Sequence, residues 1–335
     1  MKRDLISIDQ LSVAEIDKIH KLANKYFSKE NNCPITRCCK KLRSVFRGSL
    51  ARVFLGCSDQ KLKGKLLVNF FFENSTRTRM SFEIAAKRSG CDVVNLDISL
   101  SSLKKGESII DTAKTINAMR PDFVAIRHNS SGIVELLKKY IDASLINAGD
   151  GTNEHPSQAL LDSFVIRQHK GDLSKLKIAI CGDVLHSRVA RSNIKLLKKF
   201  GAEIRVITPP TLMPVDYKQW LQEKFDIKVF DNLADGIIGA DVVMMLRIQQ
   251  ERMLGCYIPS LAEYAKLYGL THEKLRLAHK SALVLHPGPI NRGVEIDSEL
   301  ADSHRSVILD QVTNGLAVRM AVLFLCAGVG NPRGR

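Results

Sequence analysis

Apolar positions along the chain switch repeatedly between a helical spacing and short continuous runs. Residues 12–29 place Val13, Ile16, Ile19, Leu22, Ala23 and Phe27 on one helical face, and Ser12 with Glu15 forms a capping box at its start. Residues 30–47 are polar and basic. Beyond them the alternation is regular. The runs 66–73, 92–98, 123–128 and 144–149 read as strands, and 80–90, 108–119 and 131–140 read as helices. Near-continuous apolar strands separated by amphipathic helices predict an open, largely parallel sheet covered on both faces.

A helix at about 157–169 and a polar connector, 170–175, separate this half from a second one. There the strands are 177–183, 203–209, 226–230, 241–246 and 282–288, with helices at 187–201 and 214–225 and a shorter one after 230. The last helix, about 311–327, is apolar on nearly every face and must be buried. The fold class expected is therefore α/β, with two open, mostly parallel-sheet α/β domains joined by interdomain helices. The boundaries expected are 1–155, completed by the C-terminal helix at about 311–327, and 156–310.

Composition narrows the function classes. A chain of 335 residues fits two domains of ordinary size. Its 50 Lys and Arg against 35 Asp and Glu leave a net charge of +15. Such an excess suits nucleic acid, a membrane surface or small anionic substrates. Aromatic residues are only 6% and no RNP, KH or helix-turn-helix pattern is present, which argues against nucleic acid. The apolar run AVRMAVLFLCAGVG has 14 residues and carries Arg319, short of the roughly 20 a spanning helix needs. No targeting segment is visible, so a cytoplasmic enzyme is expected. The eight cysteines form no CxxC pair and read as free thiols; Cys33, Cys38 and Cys39 lack further ligands at metal spacing, so no metal is expected.

Candidate chemistry collects after strands. Ser75-Thr76-Arg77-Thr78-Arg79 follows the strand 66–73 and precedes a helix. Hydroxyls and guanidiniums at a helix N-terminus make a phosphate cradle; the same residues also fit a simple N-cap with two surface arginines. Arg127-His128 ends the strand 123–128, where ligands bind in open parallel sheets. His155-Pro156-Ser157-Gln158 opens a helix, a setting that favours a neutral imidazole able to donate to a carbonyl oxygen; a structural histidine at a helix start fits the same residues equally well. Ser101 to Glu107 is a polar loop in which Lys105 offers a point charge to a phosphate; taken alone, a solvated basic loop is the simpler reading. Arg188 and Arg191 open a helix after Cys181-Gly182-Asp183, and GxGxxG is absent, so no dinucleotide cofactor is expected. Arg247 and Gln249 follow the strand 241–246; arginines at two strand ends suit a dicarboxylate. His286-Pro287-Gly288-Pro289 is a stiff turn whose carbonyls can accept from an amine.

In this order and spacing, STRTR, SLKKGES, RH, HPSQALLD, HSRVAR, LRIQ and LHPGP resemble the catalytic chains of aspartate carbamoyltransferases, over about residues 5–328. STRTR and HPxQ are shared with ornithine carbamoyltransferases and mark the donor substrate. The KKGE loop, Arg247-Ile248-Gln249 and HPGP mark the acceptor. The resemblance implies transfer of the carbamoyl group of carbamoyl phosphate to L-aspartate, in pyrimidine biosynthesis, with no cofactor. It makes the first domain the carbamoyl phosphate-binding one and the second the aspartate-binding one. It assigns the phosphate to Ser75, Thr76, Arg77 and Thr78, the carbonyl oxygen to Thr78, Arg127 and His155, and the carbamoyl nitrogen to Gln158. It assigns the aspartate carboxylates to Arg188, Arg247 and Gln249, with Lys105, Gly288 and Pro289 completing that subsite. Ser101, counted with the carbamoyl phosphate-binding residues, and Lys105, counted with the catalytic residues Arg77, Thr78, Arg127 and His155, resemble the pair that family members lend to a neighbouring subunit, within a homotrimer. Two departures stand out: Gly288 where some members have Leu, and the cysteine-containing stretch 33–39.

The rival readings are a carbamoyltransferase acting on ornithine or another amine, a nucleic-acid-binding protein, and an inactive scaffold. The resemblance leaves open whether regulatory chains or a dihydroorotase join the trimer. No membrane partner is expected.

Overall fold

The structure, a computed structural model, describes residues 3–32, 60–97, 106–253, 255 and 257–329. Ser101, Lys105, Cys33, Cys38 and Cys39 lie outside the described residues. The chain divides into two compact units, Met1–Asp150 with Asn314–Arg335, and Gly151–Thr313. The division falls five residues before the expected boundary and gives His155 to the second unit rather than the first.

The first unit is built on β1 (Leu66–Phe71), β2 (Asp92–Asp97), β3 (Phe123–His128) and β4 (Ser144–Asp150), with helices α1 (Val13–Asn32), α2 (Thr76–Arg88), α3 (Ile109–Ala118) and α4 (Ile133–Leu137). The strand order is β2-β1-β3-β4 and every pair is parallel. All seven residues of β4 and five of six in β1 are buried, which is why these strands read as unbroken apolar runs. On one face Val68, Phe70, Val124 and Ile126 pack against Ala113 and Ile116 of α3 and Val134 and Leu137 of α4. The capping box expected at the start of α1 forms: Glu15 accepts from Ser12 N at 2.9 Å, and Glu15 N donates to Ser12 Oγ at 3.3 Å.

The second unit carries α5 (Pro156–Lys170), β5 (Lys177–Cys181), α6 (Arg188–Lys199), β6 (Glu203–Ile207), α7 (Val215–Phe225), β7 (Lys228–Phe230), α8 (Leu233–Ile237), β8 (Val242–Met245), α9 (Leu261–Tyr268), α10 (His272–Leu275), β9 (Leu283–Leu285) and α11 (Ser298–Ala301). Its sheet is also wholly parallel, in the order β7-β6-β5-β8-β9. The last helix, α12 (Ile308–Cys326), belongs to the first unit from Asn314 onward. It is long and apolar enough to cross a membrane, yet 72% of its apolar window is buried within the protein. Its Phe324 stacks on Tyr26 of α1 at 5.1 Å, so the helix serves as core.

In each sheet one strand has successors on opposite sides. The chain runs from β1 to β2 on one flank, and β3 lies on the other; β5 is flanked likewise by β6 and β8. Those reversals are the topological switch points, where a crevice opens at the carboxyl ends of the strands.

Candidate active site

The first switch point gathers Ser75–Thr78 and Arg127. α2 begins at Thr76, four residues earlier than the apolar pattern suggested, so Thr76, Arg77 and Thr78 form its first turn. Ser75 is the N-cap residue but its side chain makes no capping bond. The first backbone N–H groups therefore keep their capacity for an external anion. The Arg77 side chain is exposed and makes no ion pair or hydrogen bond among the described residues, while Thr78 is buried. The adjacent strand delivers Arg127: Phe71 pairs with Arg127 in the ladder, and Phe72 N donates to the Arg127 carbonyl at 2.8 Å. The Arg127 guanidinium lies 3.2 Å from Glu73 and donates to the Ala148 carbonyl at 3.3 Å. Glu73, unnoticed in the sequence, thus helps orient that arginine. His128 is committed elsewhere: its ring packs on Phe72, its Nδ1 accepts from Ser130 N at 2.8 Å, and burial pushes its pKa down.

The second unit positions the remaining described candidates. His155 is the N-cap residue of α5 and is buried. Its backbone N–H donates to Ser192 Oγ at 2.8 Å, and its Nδ1 lies 3.4 Å from Ser157 Oγ. Gln158, one turn into α5, donates through Nε2 to Asp162 at 2.8 Å. Arg188, the first residue of α6, is buried, and its Nη1 donates to the Gly151 carbonyl at 3.2 Å. Arg252 donates to the same carbonyl at 3.0 Å. Arg191, by contrast, lies over the Tyr217 ring at 5.0 Å, a packing role.

Arg247 and Gln249 follow β8 on a segment clamped by two buried carboxylates. Asp183 accepts from Gln249 N at 3.1 Å, and Glu295 accepts from Ile248 N at 3.0 Å. Burial pushes the Glu295 carboxyl up, against the bonds from Ile248 and Asn291. Arg247 itself pairs with Glu251, one helical turn later. Burial opposes ionisation of Glu251, yet the Arg247 bond holds its carboxyl below the ordinary range. Between β5 and α6 the chain needs glycine: Gly182 has φ +121°, and a Cβ there would stand 2.9 Å from the Leu246 carbonyl oxygen. The turn at His286–Pro289 includes Gly288 at φ +69° before a cis Pro289, and Gly288 N donates to His286 Nδ1 at 2.9 Å.

Two family models match this chain. A family model described as aspartate/ornithine carbamoyltransferase, carbamoyl-P binding domain, matches residues 3–168, and one described as the Asp/Orn binding domain matches residues 174–326. The aspartate carbamoyltransferase catalytic subunit of Azorhizobium caulinodans is 50% identical over 322 residues, 96% of this chain and 92% of that protein. That of Methylorubrum populi is 56% identical over 262 residues, 78% of this chain and 82% of that protein. The structure of Trypanosoma cruzi aspartate transcarbamoylase in complex with carbamoyl phosphate and aspartate superposes with a TM-score of 0.80 at 28% identity, covering 96% of each chain. Ornithine carbamoyltransferase from Pyrococcus furiosus superposes with a TM-score of 0.79 at 26% identity, covering 98% of this chain and 97% of that one. The chain belongs to the aspartate/ornithine carbamoyltransferase family.

Proposed function

We propose that this protein transfers the carbamoyl group of carbamoyl phosphate to the amino group of L-aspartate, giving N-carbamoyl-L-aspartate and phosphate for pyrimidine biosynthesis in the cytosol. The observation that carries this reading is the extent of its likeness to aspartate enzymes: half of the residues agree over 96% of the chain. Fold alone does not choose the acceptor, because the ornithine enzyme superposes nearly as well as the aspartate one.

In this reading the open first turn of α2, with Ser75, Thr76, Arg77 and Thr78, holds the phosphate. The first domain, in this role, is carbamoyl phosphate-binding, and the second is aspartate-binding. Arg188, Arg247 and Gln249 hold the aspartate carboxylates; an arriving carboxylate replaces Glu251 on Arg247. The carbonyl groups of the Gly288-Pro289 turn accept from the amine. The amine nitrogen attacks the carbonyl carbon, the new C–N bond forms, and negative charge develops on the carbonyl oxygen. Thr78, Arg127 and His155 donate to that oxygen. Ser157 Oγ lies 3.4 Å from His155 Nδ1, and a hydroxyl that donates there would leave the imidazole proton on Nε2, the tautomer this role requires. The C–O bond to phosphate then breaks, and the departing phosphate takes the amine's proton. Positioning two anions together is the main task, and effective molarities of about 10⁵–10⁸ M show how much that can supply.

Ser101 and Lys105 complete a neighbour's site in a homotrimer, an assignment that rests on their motif. The testing experiment is phosphate release from carbamoyl phosphate with either amino acid. Release that needs aspartate and stays at background with ornithine supports the reading; the reverse pattern moves the protein to the ornithine branch.

A further inference from the structure

We propose that Asp162 is a positioning residue that fixes which end of the Gln158 carboxamide meets the donor substrate, and thereby sets the preference for a carbamoyl over an acetyl group. The inference rests on the assignment of Gln158 to the carbamoyl nitrogen made above.

Asp162 is fully buried on α5, one turn beyond Gln158. Three carboxamides converge on it. Its Oδ1 accepts from Gln158 Nε2 at 2.8 Å and from Gln311 Nε2 at 2.7 Å, and its Oδ2 accepts from Asn193 Nδ2 at 2.8 Å. Donors on both oxygens match an ionised carboxylate, which can only accept. Each carboxamide must then turn its NH2 toward Asp162. A carboxamide carries its NH2 and its oxygen in one plane, on opposite sides of the bond that joins it to the side chain. Gln158 Oε1 is thereby directed away from Asp162, as an acceptor for a donor that is not Asp162.

An acceptor discriminates between two acyl phosphates of nearly equal shape. Carbamoyl phosphate has an NH2 that can donate to Gln158 Oε1. Acetyl phosphate has a methyl group there and leaves that oxygen unpaired. Leaving a buried acceptor unmade costs about 1–3 kcal/mol, enough for a strong preference. The same carboxylate reaches further. Gln311, held by Asp162 through Nε2, accepts through Oε1 from His286 N at 3.1 Å, so one charge also orients the start of the His286–Pro289 turn. Asp162 is assigned no contact with substrate and acts through these amides.

The test is the substitution Asp162→Asn in the full-length protein, with two readouts. The introduced carboxamide can donate as well as accept, so Gln158 is free to present its NH2, donor facing donor. The KM for carbamoyl phosphate should rise about 10–100-fold. The Ki of acetyl phosphate as a competitive inhibitor should move less than about threefold, because a methyl group reads neither end of the amide. If Asp162→Asn does not fold, Asp162→Ser, which removes the charge and leaves room for water, should show the same split. A parallel loss for both ligands, or no change in either, overturns the inference. Wild-type protein that transfers the carbamoyl group of carbamoyl phosphate to neither aspartate nor ornithine overturns the functional reading instead, and the inference falls with it.

Discussion

Asp183 and Gln249 are 66 residues apart and are joined by a hydrogen bond of 3.1 Å from the Gln249 backbone N–H to the Asp183 carboxylate. The same carboxylate accepts from His186 Nδ1 at 2.9 Å. The bond links the segment after β5 to the segment after β8 across the second switch point. Asp183→Ala removes it while touching no proposed substrate atom. Losing a charged acceptor of this kind costs about 1–3 kcal/mol, so the aspartate KM should rise about 5–100-fold. Steady-state titration of both substrates checks this; a rise confined to carbamoyl phosphate would contradict it.

His155 is proposed to donate to the carbonyl oxygen as charge develops there. His155→Ala should lower kcat by about 10²–10³, the range of one oxyanion donor. A loss below about tenfold would leave His155 only its role at the start of α5.

The proposed sharing of sites between subunits of a homotrimer gives a complementation test. Lys105→Ala and His155→Ala should each be nearly inactive as pure trimers. Dissociated, mixed equally and reassembled, they place an intact Lys105 beside an intact His155 at about one interface in four, so turnover should return to about a quarter of wild type, each native site binding its transition state unchanged. Trimers confirmed by native mass with no recovery would show that each site is built within one chain.

Arg3 and Glu15 form an ion pair at the start of α1, and the Arg3 bond, against burial, holds the Glu15 carboxyl down at about 2. A carboxyl depressed in the folded state contributes stability above its unfolded value, about 4.5, and loses it as pH falls toward about 2. Both side chains are about one-third exposed, so solvent screening keeps the effect small. Urea unfolding of wild type and Glu15→Gln should differ at pH 6, and the difference should shrink as pH falls from about 4.5 to about 2. A gap that widens with acid would contradict the assignment.

Much of the fold is legible because buried parallel strands are short unbroken apolar runs: the run 123–128 has the bounds of β3, and the run 66–73 overshoots β1 by two residues. The start of α2 is not, because Thr76 to Arg79 is polar and carries no helical apolar period. The helix expected over 131–140 shrinks to Ile133–Leu137 for the opposite reason, an apolar period longer than the helix that uses it. Motif residues such as Arg77, His155 and Arg247 are visible by type and spacing. Their supports are not. Glu295 meets Ile248 across 47 positions, and Asp162 meets Gln311 across 149. A carboxylate whose partner lies that far along the chain looks like any surface acid until the sheet closes.

The proposed mechanism separates two tasks, anion capture at Ser75–Thr78 and Arg127 and carboxylate recognition at Arg188, Arg247 and Gln249. The most direct test is Arg247→Ala, titrated with each substrate in turn. Aspartate KM should rise at least about tenfold, the cost of one charge-assisted contact, and the carbamoyl phosphate KM should stay within about twofold. If carbamoyl phosphate affinity collapses instead and the aspartate KM stays put, the assignment of roles is wrong.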